Sequence, residues 1–215
     1  MSFAMSQTLR VPRLYPILDV ACFAPTMRTE ACVVEYAYKL ATGGVTWLQY
    51  RNKIAPTRQM LDHTRAIRQA LGEGVTLIMN DRADMCIAAG CDGVHLGQDD
   101  LSPQGARRVI GNHRILGVST HNLRQLSEAD DGSADYIAYG PIFETSTKQY
   151  HEPLVGLEGI RAARAATTKP LVAIGGITRA NARSVIDAGA DSVAVISDLL
   201  SAPTEVAEEF SRLLV

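Results

Sequence analysis

Residues 77–101 read LIMNDRADMCIAAGCDGVHLGQDDL, a strand, a turn, a short helix and a second strand, with an acidic residue just past each strand. Leu77, Ile78 and Met79 form an apolar run too short for a helix, and it ends at Asn80-Asp81. Val94 to Leu96 form the second run, which ends at Gly97 and is followed by Asp99-Asp100. If the two strands are parallel neighbours, their carboxyl ends lie side by side and bring Asp81 and Asp100 toward each other. Carboxylates that close repel, and a divalent cation between them resolves the repulsion. Hard carboxylate oxygens, with Asn80 and Gln98 beside them, favour magnesium over zinc. The plainer reading makes Asp81 a cap for the following helix and leaves Asp100 in a solvated turn. Both readings stand at this point.

Outward from this unit the same grammar repeats. Leu14 to Leu18 give a first strand; Val33, Val34, Ala37, Leu40 and Ala41 then recur at helical spacing until Gly43-Gly44. Val45 to Tyr50 is a second strand, and Met60, Thr64, Ile67 and Leu71 mark the next helix. Further strands are expected at 115–118, 136–139, 171–174 and 193–196, and a last helix with Val206, Phe210 and Leu213 on one face. Short apolar strands without clean in-out alternation indicate a parallel sheet covered by helices, and a count of eight fits closure into a single (β/α)8 TIM barrel. An open doubly wound sheet is the alternative. Ala89-Gly90-Cys91-Asp92-Gly93-Val94 echoes Ala188-Gly189-Ala190-Asp191-Ser192-Val193, as a repeated βα unit would.

The 215 residues suffice for one well-buried domain. The expected division is a flexible segment over 1–13 and a barrel over 14–215. A net charge of −2 offers no broad basic surface, which argues against nucleic-acid binding. Cys22, Cys32, Cys86 and Cys91 show no metal-knuckle spacing and read as buried thiols of a reducing compartment. No stretch has the length of a membrane span, and residues 1–13 lack the apolar core of a signal peptide, so a cytoplasmic protein acting on small molecules, away from membranes, is expected. Whether it forms a homo-oligomer is left open.

In such a barrel the active site is built at the carboxyl ends of the strands. Strand two ends in Gln49-Tyr50-Arg51-Asn52-Lys53, and alternation puts Gln49, Arg51 and Lys53 on the inner side, unless the two cations are simply solvated charges at a strand exit. Strand five ends in Ser119-Thr120-His121, where Ser119 reads as a helix cap or a ligand contact and His121 as a packed residue or a base. Strand six opens into Gly140-Pro141-Ile142-Phe143-Glu144-Thr145-Ser146-Thr147-Lys148, with no regular element until about Leu157. A connection that long suits a phosphate-covering lid as well as a solvated loop. Strand seven ends in Gly175-Gly176, where absent side chains let an anion approach backbone N–H groups at the start of the next helix. Strand eight ends in Ile196-Ser197-Asp198; loops seven and eight are where this fold commonly holds a phosphate. A carboxylate pair, three cations (Arg51, Lys53, Lys148) and a separate glycine cradle together point to two phosphorylated ligands, one of them a metal-bound diphosphate.

These motifs resemble the thiamine-phosphate synthase family: Q-x-R-x-K at 49–53, N-D-R-A-D at 80–84, G-V-H-L-G-Q-x-D at 93–100, V-S-T-H at 118–121, G-P-I-F-x-T-x-T-K at 140–148 and G-L-E-G at 156–159. The resemblance runs through nearly the whole chain. It implies a transferase that joins hydroxymethylpyrimidine diphosphate to thiazole phosphate, giving thiamine phosphate and diphosphate. By the same resemblance Asp81 and Asp100 would hold Mg2+; Gln49, Arg51, Lys53, Asn80, Ser119 and Lys148 would bind the pyrimidine diphosphate; and Thr145, Ser146, Thr147, Gly176, Ile196 and Ser197 would contact the thiazole phosphate. Arg51, Lys53, Ser119 and Lys148 would serve the chemical step. Leu18-Asp19, where Thr-Asp is expected, and Gln149-Tyr150-His151-Glu152 depart from the family pattern. Two rival readings are the related thiazole tautomerases, with His121 as the acid-base group, and a binding-only paralogue.

Overall fold

The computed structural model describes residues 9–145 and 152–215. Among them, eight strands alternate with eight α-helices: β1 (Leu14–Asp19), α1 (Glu30–Thr42), β2 (Trp47–Arg51), α2 (Thr57–Leu71), β3 (Thr76–Asn80), α3 (Ala83–Ala88), β4 (Gly93–Leu96), α4 (Pro103–Ile110), β5 (Ile115–Thr120), α5 (Leu123–Asp130), β6 (Tyr136–Tyr139), α6 (Gly156–Ala166), β7 (Leu171–Ala173), α7 (Ala182–Asp187), β8 (Ser192–Val195) and α8 (Pro203–Leu213). All strand pairings are parallel, and β1 pairs with β8 (Leu14↔Val193) as well as with β2 (Ile17↔Gln49). The β1–β8 pairing closes the barrel and removes the open-sheet alternative.

Two apolar regions result. The larger lies between barrel and helices, where Leu18, Leu48, Leu77, Val94, Leu116, Ile137, Leu171 and Val193 meet helix residues such as Leu40, Ile67, Ile160 and Phe210. The smaller fills the barrel with Tyr15, Trp47, Ile78, Tyr136, Ala138, Val172 and Ala194. Because both strand faces are buried, each strand reads as a continuous apolar run. Gly117 makes room for the Tyr136 ring: a Cβ there would sit 2.0 Å from its Cζ.

The sequence echo has a mechanical cause. Asp92, just before β4, accepts a hydrogen bond from the Leu77 N–H of β3 at 2.6 Å and pairs with Arg68 of α2. Asp135, before β6, accepts from Leu116 N–H of β5 at 2.7 Å and pairs with Arg107 of α4 at 2.7 Å. Asp191, before β8, accepts from Leu171 N–H of β7 at 2.8 Å and pairs with Arg164 of α6 at 2.7 Å. Each clamp ties an otherwise unsatisfied strand-start N–H to the preceding helix, at the end of the barrel away from the strand tips.

Several expectations shift. β2 starts at Trp47 rather than Val45, and β7 stops at Ala173. On α8 the residue turned inward with Val206 and Phe210 is Leu214, just past the helix, while Leu213 is 40% exposed. A C-terminal residue four positions after Phe210 stays over the apolar face, whereas Leu213 falls to its edge. Cys86 and Cys91 are buried, but Cys22 and Cys32 are only partly so, which corrects the reading of all four as buried thiols. No helix among the described residues is long and apolar enough to cross a membrane.

Candidate active site

The strand tips enclose a cavity of about 360 Å³, lined by Gln49, Arg51, Lys53, Asn80, Asp81, Asp100, Ser119, Thr145, Gly176, Ile196 and Ser197 among others. Every sequence-derived site residue that is described therefore faces one space. Ser146, Thr147 and Lys148 lie outside the described residues. Just beyond them Glu152, singled out earlier only as an unusual continuation, lines the same cavity.

The acidic tips meet as the β3–β4 pairing requires. Asp81 follows Asn80 in a three-residue turn, with Arg82 N–H donating to the Asn80 carbonyl at 2.8 Å, and its backbone sits at φ 63°. Its own N–H extends the sheet ladder to the His95 carbonyl at 2.7 Å. The reading of Asp81 as a mere helix cap is not what the fold uses: α3 has no side-chain cap. Asp100 accepts from Gly97 N–H at 2.7 Å. Burial, and then the hydrogen-bonding Asp81 carboxyl beside it, raise the Asp100 pKa, against the opposing pull of Gly97 N–H and Lys53. The Lys53 ammonium lies 2.9 Å from Asp81. Two carboxyl groups brought this close are a donor set that fits a small hard cation. No cluster of three or more metal-ligating side chains exists among the described residues, so this set suits an ion like magnesium, which keeps waters and takes further oxygens from a phosphate.

Arg51 departs from the expectation of an unencumbered cation. Its guanidinium pairs with Asp19, which is 1% exposed and also accepts from Ala21 N–H at 3.1 Å. An Arg held this way keeps its fork fixed toward the cavity, and the partner comes from the strand whose Leu-Asp ending looked like a departure. Asn52, pointing the other way on the same strand exit, accepts from Ile54 and Ala55 N–H at 3.2 and 3.1 Å and donates to the Tyr50 hydroxyl at 3.0 Å. Tyr50 in turn contacts His63 Nδ1 at 3.0 Å. This pin shapes the turn that carries Lys53.

Below the rim, sequence reasoning missed a polar chain. Gln49 Nε2 donates to the Tyr15 hydroxyl at 2.9 Å; Tyr15 and Tyr136 hydroxyls are 2.9 Å apart; Tyr136 lies 2.8 Å from His95 Nδ1; and His95 Nε2 lies 2.8 Å from Ser119 Oγ. Burial pushes the Tyr15 phenol up to about 12 and Tyr136 well above its ordinary value. Gln98 fixes the same tip by donating to the Ser119 carbonyl at 2.6 Å. His121 Nδ1 is 2.6 Å from the Gly140 carbonyl; a carbonyl only accepts, so Nδ1 carries the proton of that bond.

On the far side, Gly175 and Gly176 adopt φ 95° and 66°, and a Cβ on Gly176 would sit 2.3 Å from the Glu144 carbonyl oxygen. The glycines thus serve close packing of the β6 loop as well as access. The next helix, α7, begins only at Ala182, which corrects the expectation of a helix start directly after Gly176. Ser197 instead opens a single 3₁₀ turn, Ser197–Leu199. Arg179 nearby is engaged by Asp198 at 3.1 Å and by Glu209.

A family model described as thiamine monophosphate synthase matches residues 19–199. A thiamine-phosphate synthase of Koribacter versatilis is 56% identical over 210 residues, covering 98% of this chain and 99% of the relative. One of Chloroflexus aurantiacus is 46% identical over 191 residues, 88% of this chain and 86% of the relative. Among solved structures, a thiamine phosphate pyrophosphorylase from Pyrococcus furiosus superposes with a TM-score of 0.82 at 33% identity, covering 94% of this chain and 95% of that one.

Proposed function

The chain belongs to the thiamine monophosphate synthase family and has the function of a thiamine-phosphate synthase, a transferase, and from that premise we propose how its residues divide the work. Hydroxymethylpyrimidine diphosphate binds over the tips of β2 to β5, with Gln49, Asn80 and Ser119 on the pyrimidine side and Arg51, Lys53 and Lys148 toward the diphosphate. Thiazole phosphate binds opposite, at Thr145, Ser146, Thr147, Gly176, Ile196 and Ser197. Asp81 and Asp100 would hold Mg2+, which when bound supplies positive charge to the diphosphate oxygens.

The bond from the pyrimidine methylene carbon to the diphosphate oxygen breaks first, and its electrons leave with diphosphate. Arg51 and Lys53 stabilise the charge that accumulates there, more in the transition state than before it. The electron-rich aminopyrimidine carries the resulting positive charge. The thiazole nitrogen, held close by its phosphate anchor, then closes the new C–N bond through proximity. The protein forms no covalent bond.

The observation that carries this reading is that the carboxylate pair, Arg51, Lys53 and the glycine-lined pocket all face one cavity. A ring-isomerising enzyme would have no use for the diphosphate equipment. The partners are these small molecules; the active domain is the barrel over 14–215, working in the cytoplasm. Incubating both substrates with magnesium should give thiamine phosphate, with Lys53→Ala lowering kcat and kcat/KM for the pyrimidine diphosphate and Ser197→Ala raising KM for thiazole phosphate. Equal effects on both substrates would overturn the division.

A further inference from the structure

Resting on the pyrimidine placement above, we propose that Gln49, Tyr15, Tyr136, His95 and Ser119 form one proton-ordered hydrogen-bond chain, and that its direction makes the site select an amino over an oxo substituent on the pyrimidine. The Gln49 amide nitrogen has no lone pair to offer, so its 2.9 Å contact makes the Tyr15 oxygen an acceptor. Tyr15 directs its single proton to Tyr136, 2.9 Å away. Tyr136 directs its own to His95 Nδ1 at 2.8 Å. A neutral imidazole then carries its proton on Nε2, which donates to Ser119 Oγ at 2.8 Å.

The two ends of the chain open on the cavity. With its nitrogen turned to Tyr15, Gln49 offers Oε1, an acceptor suited to an exocyclic amino group. Ser119, already accepting from His95, offers its own O–H to an acceptor on the substrate. Turning the Gln49 amide over would require every link to reverse, presenting an N–H donor at Gln49 and a lone pair at Ser119. An oxo-pyrimidine, which brings an acceptor to Gln49, therefore meets resistance from the whole chain rather than from one side chain that can rotate. Deep burial keeps both phenols protonated, so neither link is lost by ionisation. Gly117 is part of the device, since any side chain there would collide with the Tyr136 ring. Tyr15, Tyr136 and His95 act here as positioning residues.

Two measurements test this. In the full-length ligand-free protein, nitrogen NMR of His95 should show the Nε2–H tautomer; a dominant Nδ1–H tautomer would overturn the proposed direction. In steady-state assays the wild type should prefer the amino-pyrimidine diphosphate over its oxo analogue, and Tyr136→Phe or Tyr15→Phe should shrink that ratio of kcat/KM by about tenfold, the scale of one lost hydrogen bond. A general packing defect would lower both substrates alike, so an unchanged ratio in folded variants overturns the coupling. Absence of any coupling activity in the wild type would instead refute the functional reading, while the tautomer would still decide the chain.

Discussion

Asp81 occupies left-handed backbone, φ 63°, a region that costs a non-glycine residue roughly 1–3 kcal/mol. The turn is kept because it delivers the carboxyl to Asp100 and Lys53. Asp81→Gly should relieve both the backbone strain and the repulsion from Asp100. Its lost ion pair with half-exposed Lys53 is worth little in water. Denaturant unfolding should show stability unchanged or raised by ~1 kcal/mol, while turnover falls by ~100-fold or more; loss of both together would mean that the turn is structural. The pairing of Asp81 with Asp100 was legible in the sequence because parallel neighbours must end side by side. Tyr15, His95 and Tyr136 were not, since a strand buried on both faces has no period to separate barrel interior from helix-facing positions. Asp19 was visible, but only as a departure, because nothing in its neighbourhood names Arg51 as its partner.

At the scale of elements, β2 and α2 show how a rim side chain is held from outside the barrel. Alternation along β2 was enough to place Gln49, Arg51 and Lys53 on one side. Asn52, between them, is the residue whose outward amide pins the turn to Tyr50 and His63. Burial depresses the His63 pKa below its ordinary 6.5, with Glu30 and Asp62 offsetting only part of the effect. A histidine kept neutral in the fold contributes stability that is fully present above its unfolded pKa and is lost as pH falls through it. Unfolding measured from pH 7.5 downward should therefore show stability declining below about pH 6.5, by at most ~1.4 kcal/mol per pH unit from this group. His63→Gln should flatten that part of the profile; an unaltered profile would locate the titration elsewhere. The helix expected directly after Gly176 was misplaced because the glycine pair signals backbone freedom without saying what packs into the space.

The whole molecule separates stability from chemistry along the barrel axis. At one end the aspartates before β4, β6 and β8 clamp alternate strand starts to arginines of α2, α4 and α6, and the repeated Ala-Gly-x-Asp sequence marks two of these clamps, at Asp92 and Asp191. At the other end the tips carry acid, base and glycine in positions that packing alone would not choose. Eight apolar runs made the barrel readable, and strand order made the carboxylate pair readable. The buried polar chain needed coordinates because it joins residues from β1, β2, β4, β5 and β6. On the proposed division of work, Asp81 and Asp100 would together hold a cation that supplies positive charge to the departing diphosphate. Rapid-quench single turnover with both substrates, across a magnesium titration, tests it in Asp100→Asn beside the wild type. The account predicts that the variant's chemical step slows by ~100-fold or more and that half-saturation moves to higher magnesium, with thiazole phosphate binding unchanged. A chemical step and magnesium dependence equal to the wild type would contradict it.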